Sequence, residues 1–414
     1  MAQVPSSDWP LPDAPVIVVG AGIAGLTCAL ALARAGRQVA LVEKRTQLEE
    51  VGAGLQLSPN AARLLIDLGL GKALQRAACM PLSLDVVLGR TGKRLARAPL
   101  GETMLARYGA PYLVIHRADL QQILLDHVRS IGSIKMHIGR TPIHIEQDEH
   151  SVSLTMTNQQ NELEHLNGSA LVGADGLHSG VALLLGDASK ARPSGYQAWR
   201  GTMPIRFVPQ GFETQRTTLW LGREGHAVTY PLQGGQSFNL VVVTREKQSE
   251  LGWSREGETR HLLDRLRHWH PVTPLIETMQ RFQIWSLYDR APRAHWNKGR
   301  CVLIGDAVHP VLPFLAQGAA LAIEDAVSLS LCLNRHPDQP AEAFASLARL
   351  RQKRAERVQQ TARRNGQIYH LSWPISLARD RVISQKDNAL LDDYDWLYGW
   401  TVGQTGRLAS PDGA

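Results

Sequence analysis

"VIVVGAGIAGLTCALALARAGRQVALVEK", Val16 to Lys44, decides the fold. Val16 to Val19 is a short β-branched run that reads as a strand. Gly20, Gly22 and Gly25 then form G-x-G-x-x-G. An apolar stretch of helical length follows and ends at Gly36, a fitting residue just past a helix. Gln38 to Val42 is a second strand, closed by Glu43. Each glycine has a physical task. Gly20 permits the tight turn, Gly22 lets a pyrophosphate approach the backbone, and Gly25 lets helix and strand pack closely. Glu43 lies 21 residues past Gly22, placed to accept hydrogen bonds from a ribose. The unit reads as a dinucleotide site. By itself it does not separate NAD from FAD.

The rest of the chain sets the frame. Its 414 residues allow two or three domains, and 44% hydrophobic with 20% charged residues describes an ordinary soluble globular protein. The net charge of +7 fits attraction of small anions as well as a solvated surface. The densest basic run, Arg349 to Arg364, has helical spacing and no interleaved aromatics, so it reads as a solvated helix face and not a nucleic-acid surface. Cys28, Cys79, Cys301 and Cys332 show no metal or redox spacing, which fits reduced thiols in a cytoplasm and no metal site. Ala14 to Ala33 lacks charge over a bilayer's length, but the glycine spacing assigns it to the βα unit and no membrane span is expected.

Two more strand ends carry an aspartate. "SALVGADGLHS" runs from Ser169 to Ser179 with Asp175 and Gly176, and "CVLIGDAVHP" from Cys301 to Pro310 with Asp306. Ligands gather at such carboxyl ends in open α/β sheets, although an aspartate there is as often a helix cap. The second motif runs through two prolines into "LPFLAQGAALAIEDA". A helix starting near Gln317 would offer unpaired N–H groups and partial positive charge to something anionic.

The three motifs, in this order, resemble the FAD-dependent aromatic hydroxylases of the 4-hydroxybenzoate hydroxylase type. The likeness runs from about residue 14 to about residue 400. The 3-hydroxybenzoate 6-hydroxylase and salicylate hydroxylase branch is the most similar, through "EVGAGLQLSPNA", "RYGAPYLVIHRADL", "YQAWRGTMP", "GHAVTYPL" and "YDWLYGW". The resemblance implies an α/β fold: a Rossmann-like FAD-binding domain (GR2-type), an inserted antiparallel β-sheet substrate domain and a C-terminal helical segment. The FAD domain is expected in three parts, 14–75, 101–195 and 291–335. A substrate-domain hairpin is expected at 76–100, its sheet at 196–290, and the helical region at 336–414.

The resemblance also assigns roles. Gly20, Gly22, Ala24, Gly25, Glu43 and Lys44 would hold the pyrophosphate and adenosine end of FAD. Gln56 would run beside the flavin and Arg117 would reach the cofactor. Asp175 and Gly176 would serve FAD and the nicotinamide donor. Asp306 would bind the ribityl chain, with Pro313, Gly318 and Ala319 at the pyrimidine edge. The implied reaction takes electrons from NADH or NADPH, forms a flavin C4a-hydroperoxide with O₂, and passes OH to a small phenolic ring. His226 and Tyr230, four apart on one strand face, would be the catalytic pair, with histidine as base. From the residues alone His226 reads as a satisfied strand residue and Tyr230 as core. His309, Pro313 and Phe314 join them as substrate-pocket candidates. A monomer or homodimer is expected.

Three departures modify this. Gly180 and Ala182 stand where arginines commonly follow the GADG motif, which tilts the donor toward NADH. Lys44 replaces a frequent arginine. Pro313 replaces a polar residue of the 3-hydroxybenzoate enzymes, leaving a hydroxypyridine or bicyclic phenol open as alternatives. An NAD(P) dehydrogenase or a flavin oxidase is the other-class reading. The Pro/Ser-rich first thirteen residues are expected to be disordered.

Overall fold

A computed structural model of the chain describes residues 14–48, 54–246, 254–279 and 281–402. The N-terminal thirteen residues and the start of the "EVGAG" segment lie outside them.

The first unit forms as its sequence dictates: β1 (Val16–Val19), α1 (Ile23–Arg34) and β2 (Val39–Glu43). β1 pairs in parallel with β2, Val16 opposite Val39, and on its other side with β5 (Ala170–Gly173), Val16 opposite Ala170. The six-stranded sheet runs Asn297–Lys298, β10 (Cys301–Leu303), β5, β1, β2, Ile134–Ile138. Every pair is parallel except the two-residue edge against β10. Such a sheet needs cover on both faces. Val16, Val18, Leu41 and Val172 point to α1, α2 (Arg117–Arg129) and α3 (Gly318–Arg335). The alternate residues Ile17, Val19, Val42 and Leu171 meet Val152, Leu154 and Met156 of a three-stranded antiparallel meander.

Space at the glycines separates packing from binding. A Cβ on Gly25 would stand 1.7 Å from the Gly20 carbonyl oxygen, so nothing larger fits between turn and helix. Gly20 itself has φ +105° and faces the Ala174 carbonyl. A Cβ on Gly22 would meet nothing within 4 Å.

A second sheet has eight strands, in the order Ser254–Gly257, β9 (Phe282–Asp289), β6 (Arg192–Pro204), β8 (Ser237–Arg245), β7 (Gly225–Leu232), Thr217–Leu221, Ser83–Leu88, Arg94–Pro99. It is antiparallel except where Ser83–Leu88 lies parallel to Thr217–Leu221, because the hairpin arrives from a distant part of the chain. Its outer face packs Trp199, Leu240 and Val242 against Trp269, Leu275 and Ile276. Its inner face sets Ala198, Val243 and Leu287 on Leu312 and Phe314 of the loop before α3. The 30-residue α4 (Pro340–Tyr369) runs along α3 and the same loop.

Gly25→Ala is expected to destabilise the flavin-free protein by about 1–3 kcal/mol, as overpacking does. Gly22→Ala should leave its melting temperature nearly unchanged and weaken FAD retention. Thermal unfolding and bound-flavin absorbance, read on both variants, check the contrast.

Candidate active site

Strand ends and helix starts converge between the two sheets. β3 (Gly54–Leu57) pairs antiparallel with β4 (Leu113–His116), which leads directly into Arg117 at the start of α2. Gln56 on β3 accepts a hydrogen bond from the Tyr112 hydroxyl at 2.5 Å. Asp306 follows β10, and α3 begins at Gly318 with Gln317 before it.

Asp306 is exposed, yet protein surrounds it, as expected of a side chain facing an internal cleft. That enclosure raises its carboxyl pKa, while His309, Arg117 and Arg290 pull the other way. A Cβ placed on Gly176 or Gly318 meets nothing within 4 Å, as at Gly22. These positions leave room for a ligand's backbone approach at three separate turns, and the α1 and α3 N-termini both open there. An elongated dinucleotide with a flat ring system fits this chain of openings. Ala24 lies at the same turn, its Cβ 3.4 Å from where a Gly305 side chain would begin. Pro313 is exposed in the loop and Ala319 is half-buried in the first turn of α3. Lys44 is exposed beyond β2.

Two of the acids already hold backbone. Glu43 accepts from Ala21 N at 2.7 Å and Arg45 N at 2.9 Å, tying β2 to the glycine turn and leaving lone pairs for a ribose. Asp175 accepts from Ser179 Oγ at 2.5 Å and Val181 N at 3.0 Å. It braces the short helix Gly180–Leu184. The expected open ligand at Asp175 is therefore corrected to a helix brace, with Gly176 (φ +80°) as the open part of that turn. Burial raises the Asp175 carboxyl despite those hydrogen bonds.

Three pocket assignments also change. His309 is 1% exposed and turned away from the cleft, with Nε2 2.5 Å from Asp325 Oδ2 and its ring against Trp296. It braces the Asp306 loop. Phe314 is buried between Tyr196 and His226, both at 5.3 Å, and fits only because residue 366 is glycine. It is the wall behind the pocket. Tyr230 is 2% exposed and donates its hydroxyl to the Gly54 carbonyl at 2.8 Å. Burial raises its pKa and Arg200 opposes. Tyr230 thus pins the eight-stranded sheet to β3 and is poorly placed as a proton carrier. His226, on the same face, contacts Phe314, Tyr369 and His370.

Arg200 escaped the sequence reading. It lies on β6 opposite Val241, two residues from Ala198 on the inner face. Its Nε is sealed without a hydrogen-bond partner, and among the described residues no carboxylate pairs with it. The guanidinium lies 5.5 Å over the Trp285 ring. Burial lowers its pKa, Tyr230 raises it, and Arg117 lowers it further. The signal was present in "AWRG": an arginine on the inward phase of an apolar strand.

Behind the cleft is a buried charge network. Glu324 and Asp325 are fully buried on α3. Arg351 Nη2 lies 2.6 Å from Glu324 and its Nε 2.8 Å from Asp325 Oδ1. Arg354 binds Glu324 through two nitrogens, each at 2.7 Å. Asp325 Oδ2 also accepts from Gly305 N at 2.9 Å. Glu324 accepts from Asn60, whose amide reaches Gln317 at 3.1 Å. Trp400 covers both arginines, 4.6 and 4.9 Å from them.

A family model described as "FAD binding domain" matches residues 13–365. The 3-hydroxybenzoate 6-hydroxylase of Polaromonas naphthalenivorans (strain CJ2) is 35% identical over 94% of this chain and 97% of its own length. The chain belongs to the FAD-dependent aromatic hydroxylases. The 3-amino-4-hydroxybenzoate 2-monooxygenase PtnB3 of Streptomyces platensis is 36% identical over 94% of this chain and 97% of its own. A solved salicylate hydroxylase substrate complex shares the fold of this hydroxylase, with TM-score 0.81, 23% identity, 98% of this chain and 100% of that one.

Burial pushes the Asp325 carboxyl up, but His309 and Arg351 outweigh it and hold it down at about 2. A depressed folded-state pKa gives stability above the ordinary carboxylate value, lost as pH falls through the folded one. Urea midpoints should therefore fall between about pH 4 and 2. Asp325→Asn should flatten that fall. Arg351→Met, which removes one cationic partner from each of two buried carboxylates, should cost about 3–5 kcal/mol at pH 7.

Proposed function

We propose that this hydroxylase acts on an anionic phenolic ring of the hydroxybenzoate class, with NADH or NADPH as electron donor and O₂ as co-substrate. The observation that carries the reading is Arg200: a half-buried guanidinium on the inner sheet face, its Nε sealed, with no carboxylate paired to it among the described residues. A partly desolvated cation gains from a partner, and a substrate carboxylate would supply one in planar, bidentate geometry. The hydroxybenzoate enzymes among the relatives support the same class.

FAD would be held by Gly20, Gly22, Ala24, Gly25, Glu43 and Lys44 at its adenosine end. Gln56, Arg117, Gly176 and Asp306 would line its middle, with Pro313, Gly318 and Ala319 at the ring. When bound it supplies the redox chemistry and oxygen activation. The protein's own residues do the rest. The α3 N-terminus places partial positive charge at the ring's edge, favouring negative charge there. Tyr230 and Asn239 hold the sheet down on β3, through 2.8 Å to the Gly54 carbonyl and 3.4 Å from Gly54 N, and so exclude water. Arg200 orients the substrate through its carboxylate. His226 meets the phenol oxygen and favours its ionised form, which makes the ortho and para carbons nucleophilic. The absence among the described residues of a helix long and apolar enough to cross a membrane, and four unpaired cysteines, support a cytoplasmic enzyme.

NADH consumption across hydroxybenzoates and hydroxypyridines, with product identification, tests the class. His226→Ala should lose most hydroxylation and keep FAD. Arg200→Met should raise KM for a carboxylated phenol about 10- to 100-fold, the scale of one or two charge-assisted hydrogen bonds. It should leave a neutral phenol within about threefold, a difference too small to reflect a lost ionic contact. Equal losses on both substrates would refute the carboxylate contact.

A further inference from the structure

His370 follows the last turn of α4 and lies buried under the sheet. Its Nε2 is 2.9 Å from His226 Nδ1, and the rings stack with centroids 5.1 Å apart at 29°. Tyr369 lies 5.2 Å from the His226 ring, and Tyr196 5.4 Å from the His370 ring. The charged groups facing the pair are cationic: Arg245 of β8 and Arg379 of the helix Ile375–Lys386. Burial first, then these arginines, lower His370 to about 4. Burial, then His370, hold His226 well below its ordinary value. Two neutral imidazoles therefore share one hydrogen bond, so one nitrogen donates and the other accepts.

The remaining nitrogens fix the direction. His370 Nδ1 is sealed and, among the described residues, has no partner. A buried N–H without an acceptor is rarer in proteins than a buried lone pair without a donor. The His370 proton thus belongs on Nε2, donated to His226 Nδ1. His226 must then carry its own proton on Nε2, because the bond made by one ring nitrogen sets the state of the other. Among the described residues His226 Nε2 has no hydrogen bond, and it is not among the sealed, unpartnered atoms. It is the edge left for a substrate.

We propose that His370 is a positioning residue that holds His226 as the Nε2–H tautomer, so that His226 meets the substrate's phenolic oxygen as a hydrogen-bond donor to the phenolate and not as the base that deprotonates it. The inference rests on the substrate-facing role of His226 given above. The proton balance is simple. The phenol O–H bond breaks, its proton goes to water, and the oxygen keeps the electron pair and accepts Nε2–H. The histidine pair stays neutral throughout. A charge-assisted bond of this kind lowers the phenol pKa within the site.

Nitrogen-15 histidine correlation spectra of the FAD-bound wild type read the tautomer directly and need no variant. Protonation of His226 at Nε2 is expected, with signals that shift when a hydroxybenzoate binds. His226→Gln, which keeps a donor and has no basic nitrogen, should lower turnover less than tenfold, whereas losing a general base costs about 10²–10⁴-fold. His370→Gln, whose amide can still donate to Nδ1, should retain the phenolate absorbance of bound substrate at pH 6, and His370→Leu should lose it. His226 protonated at Nδ1, with signals responsive to substrate, would overturn the proposal alone. Signals that respond to no hydroxybenzoate, whatever the tautomer, would overturn the substrate-facing role and the proposal with it.

Discussion

Two adjacent carboxylates with no access to water, Glu324 and Asp325, govern the arrangement of the flavin-side wall. Neither could remain charged there alone, since desolvation works against both. Arg351 and Arg354 reverse the balance at Glu324, and His309 and Arg351 at Asp325, holding both acids below their ordinary values. Once charged, the acids hold other things in place. Asp325 fixes the Gly305 backbone and His309, and so the turn that presents Asp306. Glu324 fixes Asn60, which shares the Gln317 amide with Ser58 at the mouth of α3. The α3 helix is thus positioned by its first turn and by its second at once. Trp400 and the carbonyls of Trp396 and Leu397 close the network from the C-terminal side. The near-terminal "YDWLYGW" therefore belongs to this buried network although it lies about eighty residues beyond the loop it supports.

The sequence exposes what is local. β1, α1 and β2 were readable because strand, turn and helix each carry their own periodicity and the glycines mark the close approaches. The start of α3 was readable for the same reason. What was hidden depended on partners distant in sequence. Asp175 has a cap to satisfy only because Ser179 and Val181 fold back on it. His309 stands next to Pro310 and the cleft in sequence, but Asp325 turns its ring inward. Phe314 can pass behind the loop only because Gly366, on another helix, has no side chain. Alternation put His226 and Tyr230 on one face. It could not say that β3 would take up the Tyr230 hydroxyl.

That division bears on how the two sheets meet. The inner face of the eight-stranded sheet is apolar near Phe314 and polar near β3. Apolar contact supplies most of the free energy of closure and has little direction. Tyr230 and Asn239 supply direction, since each must meet one atom of Gly54. A Cβ on Gly54 would stand 2.4 Å from the Tyr230 ring, so the approach is as close as a peptide allows. A sheet seated this way cannot slide along β3 without stranding a buried hydroxyl.

Two of the polar groups at the cleft are cations. Arg117 and Arg200 influence each other across the cleft, and each lies near an acid or phenol that is itself disfavoured as an anion: Asp306, raised by enclosure, and Tyr230, raised by burial. If the substrate carries a carboxylate, as proposed, Arg200 gains a charged partner when the ring binds. On that proposal a neutral ring of equal size would leave Arg200 without its partner, so the site would discriminate by what it strands and not only by what it can touch.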